Sequence, residues 1–470
     1  MITGMKRIKQ NDPYLSLLPG VLRLAWPTML EELTQTAVQY ADTFMVGTLG
    51  TAATAAVGAT TTVNWLIGSA IHALGIGFLA YISQALGAED ARRAKKAAAQ
   101  CVLVMLVTGA FFTAATLSLS RVIPVWMQTD PAVRETASKY FFILYLPMFF
   151  RTASILFGTV LRAAGDTVTP MLTGLLVNGV NVGLNFLLIY PTREAELFGQ
   201  TVRFPGAGMG VTGAAAASAV SLTLGGVLIT WALLRHPAVS PVGGSLKPDK
   251  AVLRACLKIA LPNMGQRFLT SLGYVVFASA INALGAVSTA AHTVANTVES
   301  AFYIPGYGMQ TAAATLTGNA VGANDRERVG RLSRVICFLE VGMMLVSGGL
   351  LFAFAPQMTR LFSKDPEVIR LGAAVLRMVA LSEPFYGVSI VTEGMLQGMG
   401  KTGMPFVFNI FCMWGVRIGG TLICTRLLGL GLTAAWGCMI GNNLLLLVCF
   451  RLYFRRLRKA AAGPRRSAAS

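Results

Sequence analysis

The chain is expected to be an all-α polytopic membrane protein, with twelve transmembrane helices in two six-helix bundles related by an internal repeat. Three observations predict this. With 54% hydrophobic residues, 13% charged residues and a mean hydropathy of +0.62, its 470 residues are too apolar for a soluble domain. Apolar stretches recur at about 21–48, 52–80, 97–121, 139–161, 168–190, 211–234, 252–283, 290–318, 333–356, 371–397, 405–425 and 432–454, each long enough to cross a bilayer. Sliding the chain on itself by 235 places Pro27 on Pro262, Leu49-Gly50 on Leu284-Gly285, and GAED at 87–90 on GAND at 322–325. At the same offset LRAAGDTVTP (161–170) meets LQGMGKTGMP (396–405).

Six spans per repeat is an even number, so both halves enter the membrane in the same direction and relate by an axis along its normal. The expected organisation is an N-terminal lobe at 1–233, a Pro- and Gly-rich cytoplasmic linker at 234–250, a C-terminal lobe at 251–456 and a basic cytoplasmic tail at 457–470. Two lobes with a cavity between them suit alternating access. The formal charge of +19 raises nucleic acid as a partner. Most of the 39 Lys and Arg residues, however, fall in the segments that are cytoplasmic if the N-terminus is, so the bias reads as topology. Both termini are then cytoplasmic, the protein is multi-pass in the plasma (inner) membrane, and the tail faces anionic lipid rather than nucleic acid. Met1 to Gly20 lacks the apolar core of a cleavable signal peptide. The seven Cys residues lie in or near spans, with no CxxC, and read as small packing residues.

Span 1 carries Glu31, Glu32 and Asp42 among apolar residues. An acid inside a membrane needs a partner, a proton or water. At about 100° per residue, Glu31, Gln35, Gln39 and Asp42 fall within roughly 80° and form one polar stripe. That stripe must face protein or a water-filled cavity, as hydrogen-bonding scaffold or as a site. Pro27, near the cytoplasmic end, frees a backbone carbonyl and permits a hinge. In span 2, Thr61, Asn64, Gly68, His72 and Gly75 share a face whose small residues let a helix or ligand approach; His72 reads as a packing histidine. Span 4 contains Arg151, which is expected to pair with a buried acid or reach for the interface. Span 5 places Asn178, Asn181 and Asn185 on one face, where they serve either as interhelical hydrogen bonders or as neutral ligands for a cation beside a carboxylate.

The second half alters this chemistry. Glu31, Gln35, Gln39 and Asp42 correspond to Gln266, Thr270, Tyr274 and Phe277, and the three Asn positions to Met413, Val416 and Gly420. Span 8 instead gains His292, Asn296, Glu299, Tyr303 and Gln310 on one face, with Pro305 and Gly306 able to break the helix. Span 9 has Glu340 and span 10 has Glu383 and Glu393, one of which Arg417 in span 11 is expected to neutralise.

ADTFMVGTLG in span 1, the repeated GA[EN]D turn, GDTVTP, GKTGMP and NVGLNFLLI resemble the multidrug and toxic compound extrusion (MATE) transporters over nearly the whole chain. The resemblance implies two six-helix bundles that exchange H⁺ or Na⁺, moving inward, for an organic cation moving outward. It implies a cation-coupling role for Asp42, Asn181 and Asn185, the last at a position that is an acid in some members. Relatives with a C-lobe cation site use acids in spans 7 and 10, where this chain has Gln266 or Thr270 and Tyr386. The site expected is therefore in the N-lobe, holding a proton or Na⁺ and no other cofactor or metal. Substrate contacts are expected from Glu31, Gln35, Gln39, Asn64, Gln266, Glu299 and Tyr303, with Met and aromatic side chains adapting to varied ligands. Glu299 has no basic residue within a turn on its own face, which suits a small organic cation. Two complete lobes make a monomer sufficient.

Three rivals are weighed against this. A lipid-linked saccharide flippase shares the design but needs clustered Arg or Lys for pyrophosphate. A major-facilitator transporter would show Gly-x-x-x-Asp-Arg where this chain has GAEDARRAKK. An intramembrane enzyme would show HExxH, GxSxG or a paired-aspartate GxGD pattern, and none is present.

Overall fold

The computed structural model describes residue 14 and residues 16–197 and 200–462. Of the tail expected at 457–470, residues 463–470 lie outside the described residues, as do 1–13 and 15 of the N-terminal segment. Twelve helical passes run in chain order. The first six are α1 (Leu18–Gly47), α2 (Thr51–Gly87), α3 (Ala91–Leu119), the pair α5 (Pro131–Tyr145) and α6 (Met148–Ala163), α7 (Val168–Ile189) and α8 (Val211–Arg235), with a short α4 (Ile123–Trp126) before α5. The second six are α9 (Lys250–Asn282), α10 (Ala286–Gly322), α11 (Arg326–Phe362), the pair α12 (Pro366–Ala380) and α13 (Glu383–Gly398), a pass from α14 (Gly403–Ile410) through α15 (Gly420–Leu422), and α16 (Leu432–Ala462). The expected helical membrane fold is present, with one addition. Between α7 and α8, strands β1 (Pro191–Leu197) and β2 (Gln200–Ala207) form an antiparallel hairpin.

Among the described residues, seven helices are long and apolar enough to cross a membrane, and nine passes qualify if each bent pair counts as one. The three that fail on composition are α1, α9 and α10, whose polar residues lower their hydropathy. The bends are duplicated too: α5 meets α6 at 48°, and α12 meets α13 at 55°. Pro147 and Pro384 stand at these breaks, where a proline cannot extend the ladder.

The repeated motifs are helix punctuation. In GAED and GAND, Glu89 (φ 60°) and Asn324 (φ 53°) adopt the left-handed conformation. Asp90 N then bonds Ala85 O at 2.9 Å, and Asp325 N bonds Ala320 O at 3.0 Å. This six-to-one bond satisfies a carbonyl that the helix end would leave open. The same device ends α6 and α13, where Asp166 N bonds Leu161 O at 3.0 Å and Lys401 N bonds Leu396 O at 2.8 Å. Span 11 departs from its counterpart α7, for Phe411–Gly419 and Ile423–Leu427 wind as π-helix. All seven cysteines are free thiols; Cys424 and Cys438 approach to 3.8 Å between sulfurs.

The chain forms two compact units, and the division passes through α1 and α2. Among the described residues, one holds those from 255 onward with those up to Leu30 and Leu79–Asp90; the other holds those of Glu31–Phe78 and Ala91–Arg254. In the first unit, Val21, Leu24 and Ala25 of α1 pack with Met309, Leu316, Leu332 and Phe450. There the end of α2 meets the end of α10 backbone to backbone. A Cβ on Gly87 would overlap the Asn319 carbonyl, and one on Gly322 would overlap the Gln84 carbonyl. Gly87 and Gly322, like Gln84 and Asn319, are repeat equivalents, so the contact is self-complementary. In the second unit, Val46, Ala53, Tyr140, Ile189 and Val211 form a smaller core.

The linker is fastened to α3 inside the second unit. Gln100 Nε2 donates to the carbonyls of Ser245 (3.3 Å) and Lys247 (2.9 Å), and its Oε1 accepts from Asp249 N at 2.9 Å. Asp249 caps α9 through the amides of Ala251 and Val252 and pairs with Lys96. The Lys96 hydrogen bond, then the Val252 amide, hold the Asp249 carboxyl below its ordinary value.

Gly322→Ala and Gly87→Ala should each cost about 1–3 kcal/mol, because a packed backbone must shift, and lower the melting temperature of the purified protein. Gly342→Ala, with open space around it, should leave melting unchanged or slightly raised. Gln100→Ala should expose residues 236–249 to limited proteolysis. Because Asp249 titrates below its unfolded value, its hold on the linker is complete above about pH 4 and lost as pH falls through the lowered value. Cleavage in that segment should therefore rise on acidification with an acid-stable protease.

Candidate functional site

Asp42 lies near the far end of α1, and α7 brings two of its amides to it. Asn185 Nδ2 donates to Asp42 Oδ1 at 2.5 Å. Asn181 sits one turn earlier on the same face. With its carbonyl toward Asp42, two oxygens would face each other at 3.0 Å. Turned over, its nitrogen donates to Asp42 Oδ1 (3.0 Å) and Oδ2 (3.3 Å), while its oxygen accepts from the Ser218 hydroxyl at 3.2 Å. The second orientation removes the oxygen–oxygen contact and gives up the 3.1 Å bond from Asn185 Nδ2 to Asn181 Oδ1, and we adopt it. Asn181 and Asn185 are buried at 6% and 1% exposure, yet Asn185 Oδ1 has no hydrogen-bond partner. The three residues expected to form one site are thus assembled within one unit.

The rest of the polar stripe divides. Glu31 is bonded by Arg162 Nη2 at 2.5 Å, a partly buried ion pair that packs against Gly174. Gln35 and Gln39 are exposed. Pro27 is buried within an unbroken α1, and the next residue, Thr28, donates its hydroxyl to the Gly308 carbonyl at 2.8 Å. Asn64 Oδ1 accepts from Tyr145 OH at 3.1 Å and from Arg151 Nη1. Arg151 was expected to meet an acid or reach for the interface; an amide and a phenol hold it instead.

In the other unit, Gln266 Nε2 donates to Glu393 Oε1 at 2.8 Å, and Gln397 Nε2 donates to the same oxygen at 3.3 Å. Gln266 and Gln397 are the repeat equivalents of Glu31 and Arg162. Where one half has an ion pair, the other has two amides around a displaced carboxylate. Tyr303 meets Tyr307 and Tyr386 edge-on, with ring centroids 5.9 and 5.5 Å apart, and the Tyr307 and Tyr386 hydroxyls are 3.2 Å apart.

Glu299 is buried on α10. One expectation is corrected: Arg417 makes no hydrogen bond or ion pair with Glu340, Glu383 or Glu393 among the described residues. Arg417 comes from the π-helical part of span 11, its guanidinium over the rings of Phe277 (4.3 Å) and Tyr274 (4.8 Å). Phe277 is the repeat equivalent of Asp42, so the position that holds an anion in one half holds a ring under a cation in the other.

Glu340 and Glu383 were not among the expected site residues. Both are fully buried, and none of their four carboxylate oxygens has a hydrogen-bond partner among the described residues. Their signal in the sequence was only their presence in apolar spans. No group of three or more His, Cys, Asp or Glu among the described residues has the geometry to hold a metal ion.

The sequence profile of the MatE family matches residues 27–187 and again 262–423, the second match beginning 235 residues after the first. A probable multidrug resistance protein NorM of Thermotoga maritima is 26% identical over 90% of this chain and 89% of its own. A probable multidrug resistance protein YoeA of Bacillus subtilis is 27% identical over 87% of each chain. Among solved structures, an outward-facing multidrug resistance MATE family transporter of the MOP superfamily superposes with a TM-score of 0.87. It is 23% identical, over 97% of this chain and 100% of the other. A MOP superfamily transporter from Pyrococcus furiosus superposes at 0.85, 24% identical over 97% and 100% of the two chains. At these identities the structures establish the fold. The two profile matches cover well over half the chain and fall one on each repeat; the protein belongs to the MatE family, whose members are membrane transporters and not enzymes.

Proposed function

We propose that the protein is a multidrug efflux antiporter that exports small organic compounds by alternating access, coupled to inward movement of protons through Asp42. The observation that carries this reading is the Asp42, Asn181 and Asn185 cluster. Both amides turn nitrogen, not oxygen, to the carboxylate, which leaves one fixed negative charge and no ready oxygen shell for Na⁺. A proton needs only the carboxylate. Protonated, Asp42 becomes a donor, and the buried, unpartnered Asn185 Oδ1 is the acceptor its O–H would use once that amide turns over. Releasing the amides would loosen α1 from α7, and Pro27 is the point at which α1 can bend.

Within its own unit, exposed Gln35 with Gln39 supplies substrate contacts in this reading; the other unit, taken by itself, offers Tyr303 with its tyrosine neighbours. Glu31, Asn64 and Gln266 each already have a protein partner, so they act on substrate only by exchanging it, while Glu299 is buried without an ion pair among the described residues. The substrate is organic and cationic, the protein a monomer, and both termini are cytoplasmic in the plasma membrane. A second reading is favoured by half-buried Arg151 and buried Arg417, two guanidiniums with no carboxylate within ion-pair distance among the described residues. They suit a substrate carrying an anionic group, as a lipid-linked saccharide would.

Ethidium efflux from proteoliposomes separates these readings. An imposed pH gradient should drive efflux by the wild type, an imposed Na⁺ gradient should not, and Asp42→Asn should abolish driven efflux while leaving ethidium binding within about threefold. Driven efflux by Asp42→Asn at the wild-type rate would remove Asp42 from coupling. Efflux under Na⁺ alone would reverse the ion assignment. Failure of ethidium with either gradient, together with transport of an anionic lipid analogue, would favour the second reading.

A further inference from the structure

Where α11 ends and α12 begins there is a cavity of about 640 Å³. Three arginines line it, Arg360 on α11 with Arg370 and Arg377 on α12, above a floor of Pro356, Ile369 and Ala373. The convergence is set by helix periodicity. Pro356 and Arg360 are one turn apart, while Arg370, Ala373 and Arg377 are spaced i, i+3, i+7 along one face. The start of α12 is fixed by Asp365, whose side chain accepts from the amides of Glu367 (2.8 Å) and Val368 (3.4 Å).

The charge in this cavity is not balanced. Glu367 holds Arg370 through two hydrogen bonds of 2.5 and 3.0 Å. Arg360 and Arg377 have no carboxylate within ion-pair distance among the described residues; Arg377 lies instead 5.7 Å from the Phe352 ring centroid. The cavity is at a membrane boundary, because α11 completes its crossing at Phe362 and α12 returns at Pro366. Arg377, seven residues beyond Arg370, is about 10 Å deeper, so its guanidinium must reach back toward the headgroups. Leu361 (77%) and Phe362 (57%), which follow Arg360 in the chain, and Phe352 (44%), beside Arg377, are exposed apolar side chains of the same helix end and form an apolar rim.

The repeat supplies an internal control. Asp130 and Pro131 start α5 as Asp365 and Pro366 start α12, so the scaffold is duplicated. The positions of Arg360, Arg370 and Arg377 are there Val125, Glu135 and Phe142. Two basic residues of that turn are occupied, Arg134 Nε donating to the Thr129 carbonyl at 2.8 Å and Lys139 pairing with Glu135 at 2.8 Å, and a third, Arg121, stands at the position of Pro356. The fold of the turn therefore does not require three arginines. In the orientation proposed above, on which this one argument rests, the turn also faces outward, where membrane topology disfavours Lys and Arg.

We propose that this cavity binds the headgroup of an anionic phospholipid, with Arg360 and Arg377 on the phosphate and the acyl chains along the Phe352, Leu361 and Phe362 rim. Positive charge at headgroup depth beside an exposed apolar surface is what such a lipid recognises. A free phosphate would have no use for the rim.

Native mass spectrometry of the full chain in detergent, titrated with phosphatidylglycerol, phosphatidylcholine or inorganic phosphate, tests this. The wild type should bind phosphatidylglycerol at least tenfold more tightly than phosphatidylcholine. R360Q/R377Q should lose about thirtyfold in phosphatidylglycerol affinity with phosphatidylcholine unchanged, and R360K/R377K should keep most of it. Equal binding of the two lipids by the wild type, or an unchanged affinity in R360Q/R377Q, would overturn the proposal. So would displacement of phosphatidylglycerol by millimolar phosphate, which would make this a soluble-anion site. The wild-type lipid preference and its weakening by salt do not depend on whether a variant folds.

Discussion

The backbone contact between the ends of α2 and α10 is the constraint on which much else depends. Gly87 and Gly322 each face a carbonyl of the other helix, and only residues without a Cβ allow that approach. Because the two glycines and the two carbonyls are repeat equivalents, a local pseudo-twofold axis runs through the contact. It explains why α2, a helix of the first half, ends inside the unit built mainly from the second. It also explains the residues that follow. Each helix must stop at once and turn, and Glu89 and Asn324 accept the left-handed backbone that the turn demands.

Around that contact the two halves keep one scaffold and vary what it carries. Bends fall at the same places in α5–α6 and α12–α13, and the same six-to-one bonds end equivalent helices. The electrostatics are nearly inverted. Glu31 with Arg162 becomes Gln266 with Gln397 around Glu393, and Asp42 between amides becomes Phe277 beneath Arg417. A duplicated fold relieves one copy of the need to keep the chemistry of the other. Division of labour follows: proton coupling, in the reading proposed, belongs to the half that kept the carboxylate and its amides.

What could be read in the sequence was whatever repeats or follows a helical period. The twelve passes, the terminating turns, and the shared face of Asn181 and Asn185 are of that kind, and so was the position of Asp42 on a stripe. Partners across helices have no such signature. Nothing in the spacing of span 4 says that Arg151 meets Asn64 or that Arg162 meets Glu31, because those pairs depend on how helices rotate against one another. Arg417 was harder still, since the π-helical turns at Phe411–Gly419 change which side of span 11 each residue presents. The hairpin at 191–207 escaped because its alternating polar residues lie between two strong helical signals.

Glu340 and Glu383 follow from the same limit. From sequence they are two acids in apolar spans, to be neutralised by some arginine; in the structure the Arg417 guanidinium lies over the rings of Tyr274 and Phe277 instead. Met344 and the glycines at 306 and 387 crowd Glu340, leaving no donor beside it. Membrane proteins keep buried carboxyls without partners only where a proton, a water or a cation visits them. The half that lost the Asp42 site therefore retains titratable groups of its own, in contact with the helix that carries Tyr303.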